Sequence, residues 1–193
     1  MNGSENWQHV CVDMQRMFSE DTPWHVPWIN GVKDQIVEVS SRHATKTIFT
    51  RFVPPRKAAD AYGSWRAYYE KWWMMTREHL SNDLVDVLPE LRRLVPPARV
   101  FDKTGYSPWL DGRLNATLRN EGVTMLAISG GETDVCVLAT MLGAIDLGYR
   151  VVILEDAICG SADETHEAAL KILGGRFSVQ LQVVSTEAFL ANV

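Results

Sequence analysis

The chain has 193 residues, of which 46% are hydrophobic, 22% charged and 9% aromatic, and at about 150 residues per domain this predicts one globular domain. Its 13 Gly and 8 Pro are scattered, which excludes collagen-like order, and the apolar content excludes a disordered chain. Nineteen Lys and Arg against 24 Asp and Glu leave a net charge of −5, so the basic field of a nucleic-acid binder is missing.

The first seven residues show neither the basic nor the apolar region of a secretory signal. No stretch reaches the ~18 uninterrupted apolar residues of a membrane span. Cys11, Cys136 and Cys159 are too few and too odd in number for a disulfide framework. These features together predict a cytoplasmic protein with reduced thiols, no membrane contact and no nucleic-acid partner.

Along the chain, strands are expected at 9–12, 46–52, 99–101, 123–129, 150–154 and 179–184. Most of these are continuous apolar runs, as in a parallel sheet covered on both faces. Helices are expected at 28–43, 110–121, 134–147 and 162–173. Strands alternating with helices predict an α/β protein, a three-layer α/β/α fold with a doubly wound, mainly parallel sheet of about six strands. The Pro54-Pro55 and Pro96-Pro97 pairs mark loops within that domain. Such folds bind ligands outside the carboxyl ends of their strands, which draws the eye to Asp13, Arg51, Lys103 and Cys136.

Cys136 follows the strand at 123–129 and a Gly130-Gly131-Glu132-Thr133 turn. With Thr133 as N-cap, its thiol would face the positive end of a helix running to Gly148, which favours thiolate. A small residue buried on an apolar helix is the plainer alternative. Asp13 at a strand end is either a helix cap or an acid–base group, and Lys103 at another strand end is either solvated or a partner for it. Gathered at one sheet edge, a carboxylate, an ammonium and a thiol would form a nucleophilic device.

Three segments carry a resemblance: Asp13-Met14-Gln15-Arg16-Met17-Phe18, Lys103-Thr104-Gly105-Tyr106-Ser107, and Gly130-Gly131-Glu132-Thr133-Asp134-Val135-Cys136-Val137. Together they resemble the isochorismatase-like cysteine hydrolases, which include nicotinamidases, N-carbamoylsarcosine amidohydrolase and ureidoacrylate hydrolases. The resemblance runs from about residue 8 to residue 185. It implies a triad of Asp13, Lys103 and Cys136, and a cis peptide between Gly131 and Glu132. It also implies an oxyanion hole from the backbone amides of Glu132 and Cys136, no cofactor, and a homodimer or homotetramer. Phe18, Arg51, Tyr106 and Thr133 are the expected substrate-binding residues.

Retention of Cys136 favours acyl transfer at a C–N bond over the vinyl ether hydrolysis of isochorismate, which needs no thiol. Where nicotinamidases carry an Asp-x-His metal pair, this chain reads Arg51-Phe52-Val53, and His9, His25, His43, His79 and His166 lack metal-site spacing. No metal is therefore expected. Arg51 could hold a substrate carboxylate in its fork or pair with an internal acid such as Glu132. Trp65, Tyr68, Tyr69, Trp72 and Trp73 form one helical stripe, expected to be core or subunit contact unless it walls the substrate. Cys11 is expected to be packing, and Cys159 structural or pocket-lining. A dinucleotide-binding oxidoreductase lacks its glycine fingerprint after the first strand, and a non-catalytic homologue acting through protein contacts is the remaining alternative.

Overall fold

The structure, a computed structural model, describes residues 5–193. Its centre is a sheet of six parallel strands: β1 (Trp7–Val12), β2 (Thr47–Phe52), β3 (Arg99–Lys103), β4 (Met125–Gly131), β5 (Arg150–Cys159) and β6 (Leu181–Val184). The order is β3-β2-β1-β4-β5-β6. Chain direction across the sheet reverses between β1 and β4, and the crevice at that switch point is where doubly wound sheets bind ligands.

Period-two alternation sorts the strand side chains into two layers. Val10 and Val12, with Leu126 and Ile128, pack under helices 113–120, 138–146 and 163–176 through Leu118, Met141 and Leu173. Trp7 and Cys11, with Met125 and Ala127, pack on the other face against Ile36 and Val39 of helix 33–42 and Phe189 of helix 186–190. All residues of β1 and β4 are buried, the polar Gln8, His9 and Ser129 included, which explains their near-continuous apolar reading. Among the described residues, no helix is long and apolar enough to cross a membrane.

The predicted elements are found with shifted ends. Helix 28–43 shortens to Lys33–Arg42, because residues 27–32 form turns. Helix 110–121 starts only at Arg113, after Gly112 adopts φ 72°. β3 continues to Lys103, and β5 runs past Glu155 and Asp156 to Cys159. Those mid-strand acids have outlets: Glu155 is exposed, and Asp156 accepts hydrogen bonds from the Thr186 amide and hydroxyl at 2.7 and 2.8 Å.

Two features position the site. At Gly130 (φ 108°) β4 lies so close to β1 that an added Cβ would sit 2.0 Å from the Val12 carbonyl oxygen. Over the carboxyl ends of β1 and β2, residues 53–88 form a cap of short helices. Its apolar layer joins Tyr69, Met75, Leu80 and Val85 to Met17 and Phe52.

Candidate active site

Asp13 leaves β1 in the left-handed region (φ 49°), which Asp tolerates better than most residues. That turn buries its carboxylate among partners. Its amide donates to Thr50 Oγ1 at 3.2 Å, the Thr50 hydroxyl donates to Asp13 Oδ1 at 2.6 Å, and Lys103 Nζ lies 2.7 Å from Oδ2. Lys103 is the last residue of β3. Its ammonium also donates to the carbonyls of Gly105 (3.0 Å) and Tyr106 (2.9 Å) and lies 3.6 Å from Cys136 Sγ. The three side chains expected to act together thus come from three separate strand ends and meet at the switch point.

Cys136 sits one turn past β4, after a cis peptide between Gly131 and Glu132. The first turn here is π-helical, with the Val137 amide donating to the Glu132 carbonyl at 3.0 Å, and α-helix follows from Leu138 to Asp146. Gly148 (φ 84°) ends that helix as expected, but Thr133 is not its cap. Its hydroxyl, buried, lies 2.8 Å from His166 Nδ1 on helix 163–176.

The electrostatics correct a second expectation. Burial pushes the Cys136 thiol well above its ordinary value, the Asp13 carboxylate adds to this, and Lys103 offsets only part. The resting group is a thiol, held so until a base takes its proton. Burial pulls Lys103 downward, yet Asp13 and Cys136 beside it raise it above the ordinary lysine range, so the ammonium stays charged.

Gln15, fully buried, ties this corner together. Its amide donates to the carbonyls of Phe52 (3.0 Å) and Val85 (2.6 Å) and its oxygen accepts from the Phe52 amide at 2.7 Å. One side chain therefore joins the end of β2 to the cap, which gives the Asp-x-Gln pair at 13–15 a physical reason.

Cys136 opens onto a cavity of about 300 Å³, at the small end of ligand sites, which span roughly 300–1,000 Å³. Phe18, Trp24, Phe52, Tyr68, Tyr106 and Glu132 are among its walls. Phe18 stacks on Trp24 at 6.3 Å, and Trp24 meets Tyr68 at 5.9 Å. Glu132 is half-buried and accepts a hydrogen bond from the Ser161 hydroxyl. Burial raises its carboxyl above the ordinary glutamate value.

Of the four expected substrate-binding residues, Phe18 and Tyr106 reach the cavity, whereas Arg51 and Thr133 do not. Strand parity explains Arg51. Phe52 faces the cavity, so the residue before it faces the other way, and its fork holds Asp102 at 2.7 and 3.0 Å and Asp86 at 3.0 Å. The internal acids are thus Asp86 and Asp102 rather than Glu132.

The aromatic stripe divides. Tyr68 walls the cavity, Tyr69 is core, Trp65 packs on Phe52, and Trp73 lies beyond the helix, half-exposed against His79. Cys11 is core, and Cys159 is buried behind Gly131. Burial pushes both thiols up to about 12. Trp24, Phe52, Ser161 and the Glu132 side chain escaped the sequence reading. Only Phe52 had a usable signal there, the parity of β2.

The chain matches the isochorismatase domain family over residues 8–187. It is 29% identical over 165 residues to ureidoacrylate amidohydrolase RutB of Pantoea ananatis, covering 85% of this chain and 56% of that protein. It is 38% identical over 94 residues to ureidoacrylate amidohydrolase RutB of Variovorax paradoxus, covering 49% of this chain and 32% of that protein. The chain thus aligns with about a third to a little over half the length of these two relatives. A cysteine hydrolase from Pseudomonas syringae pv. phaseolicola shares the fold with a TM-score of 0.80 at 20% identity, covering 97% of this chain and 92% of that one. With the domain match spanning nearly its whole length, the chain belongs to the isochorismatase family.

Proposed function

We propose that the chain is a cysteine amidohydrolase that cleaves a small amide, ureide or related C–N bond without a cofactor. The observation that carries this reading is the buried contact of Asp13, Lys103 and Cys136 at the floor of the aromatic cavity. The amidohydrolase names of the curated relatives agree with it.

Asp13 takes the Cys136 proton as Sγ attacks the acyl carbon, so no free thiolate has to persist in a buried site. The backbone amides of Glu132 and Cys136 receive the resulting oxyanion. As the tetrahedral intermediate collapses, the C–N bond breaks and Asp13 returns the proton to the leaving nitrogen. Ammonia or an amine departs from a Cys136 thioester. Asp13 then deprotonates water, which attacks the thioester, and the proton passes back to Sγ as the acid leaves. Lys103, 2.7 Å from Asp13 Oδ2, holds that carboxyl group in place throughout.

A panel of small amides and ureides, followed by ammonia release with the unmodified chain and Cys136→Ala in parallel, tests this. Turnover by the unmodified chain alone is expected. Equal turnover by both proteins would remove Cys136 from the chemistry.

A further inference from the structure

Glu132 enters the proposed reaction only through its backbone, yet its side chain faces the cavity. Tyr68, Tyr106 and Cys136 line the same cavity as Glu132, and its charge adds to the burial that pushes both phenols and the thiol upward. Its polar partner is the neutral Ser161 hydroxyl, and the nearby acid that acts on it, Asp134, has the same sign.

The basic side chain on the cavity wall is the His25 imidazole. None of the described residues lining the cavity is Lys or Arg. Lys103 is committed to Asp13 and two carbonyls, and Arg51 to Asp86 and Asp102. Asp13 and Lys103 cancel, which leaves Glu132 as the one carboxylate among the described cavity-lining residues, and while the His25 imidazole is neutral Glu132 sets the sign of the cavity's field.

The walls suit a cation as well. Phe18, Trp24, Phe52 and Tyr68 present aromatic rings, and ring faces attract an ammonium while offering nothing to a carboxylate. A carboxylate ligand would meet Glu132 in a partly desolvated space with no opposing charge, a repulsion that selects against it.

We propose that Glu132, held by Ser161, is a specificity-determining residue. It selects small amides or ureides that carry an ammonium or another cationic nitrogen over neutral and carboxylate-bearing counterparts. The proposal rests on the amidohydrolase reading for the reacting bond, but the charge preference belongs to the cavity. A cation seated beside Glu132 would also cancel one of the charges that keep Cys136 protonated, so the preferred ligand would ease its own attack.

Calorimetric titration of Cys136→Ala protein with short ω-amino amides, alkanamides of equal length and ω-carboxy amides separates the two readings, since binding needs no turnover. The ammonium ligand is expected to bind at least about tenfold more tightly than the neutral amide, and the carboxylate most weakly. Adding Glu132→Gln should bring the ammonium-to-neutral affinity ratio close to one. Ser161→Ala, a change at an exposed position, should shrink it several-fold if the glutamine variant fails to fold. Equal affinities, preference for the carboxylate, no measurable ammonium binding, or a ratio unchanged by these substitutions would overturn the proposal. Failure of the amidohydrolase reading would appear separately, as no ammonia release from any of the three amides with the unmodified chain.

Discussion

Two ion pairs lie one residue apart on β3: Lys103 with Asp13 at the end of β1, and Asp102 with Arg51 of β2. Their side chains differ in exposure by an order of magnitude. Lys103 and Asp13 are 3% and 1% exposed, whereas Arg51 is 27% exposed and its partners Asp86 and Asp102 are 30% and 47% exposed. The register pairs Arg51 with Asp102 and Phe52 with Lys103, so alternation sends one pair outward and the other to the cavity floor. The difference teaches that a strand end is two places. The same step along the backbone separates a charge pair that water screens from one that is closed off from water and surrounded by fixed protein partners.

Breaking the inner pair, or removing the thiol beside it, should give the largest effects. Cys136→Ala is expected to keep the fold and lower ammonia release by at least about a thousandfold, because groups acting as a unit fail as a unit. Lys103→Ala should match that loss and also destabilise by about 3–5 kcal/mol in urea unfolding, since it strands a buried carboxylate. A Lys103→Ala protein of ordinary stability would show that the inner pair is no different from the outer one.

A third buried titratable group sharpens the contrast, because no acid pairs with it. His9 lies inside the sheet, 2.8 Å from Ser129 Oγ and 3.2 Å from Thr47 Oγ1, and burial lowers its pKa to about 3. Its folded value lies below its unfolded value of 6.5, so its contribution is complete above pH 6.5 and is lost as pH falls towards 3. The full loss is on the order of 5 kcal/mol. Lys103 has the opposite sign: its folded value is raised, so its contribution holds below the ordinary lysine range and fades as pH rises through the raised value. Urea midpoints measured against pH should therefore fall on the acid side, and His9→Gln should flatten that limb. A midpoint constant from pH 7 to pH 4 would contradict the buried neutral imidazole.

The outer pair should matter least. Arg51→Lys keeps the charge and loses the fork, for a cost of about 1 kcal/mol or less, with kcat and KM unchanged. Molar salt should erase even that difference while leaving the inner pair intact. A marked rise in KM for Arg51→Lys would return the residue to the substrate site and break the comparison.

The sheet was legible because its signals are local and repeated. The continuous apolar runs of β1 and β4 report burial on both faces, and the strand-to-helix rhythm gives the winding. Asp13, Lys103 and Cys136 stood out because each closes a strand or opens the following turn. The walls were harder to read. Trp24 lies among turns with no period, Ser161 is an ordinary hydroxyl on a loop, and Glu132 was expected to offer its backbone to the site and its side chain to Arg51 rather than to the cavity. Arg51 lies one step of parity from the cavity, because Phe52, which closes β2 as expected, takes the inward-facing place. Thr133 has the residue type of a cap, but a histidine contributed by a helix some thirty residues later takes its hydroxyl.

The contact at Gly130 has a consequence for how such a protein can change. With the Val12 carbonyl 2.0 Å from any added Cβ, no side chain can be installed there without parting β1 from β4, and with them Asp13 from Cys136. The reacting corner is therefore mutationally frozen. Phe18, Trp24, Tyr68 and Ser161, by contrast, lie outside the strands and contribute no ladder hydrogen bonds. Variation in ligand choice can enter through those segments and through Glu132, just past the end of β4, and a library aimed at new substrates would find its tolerated diversity there.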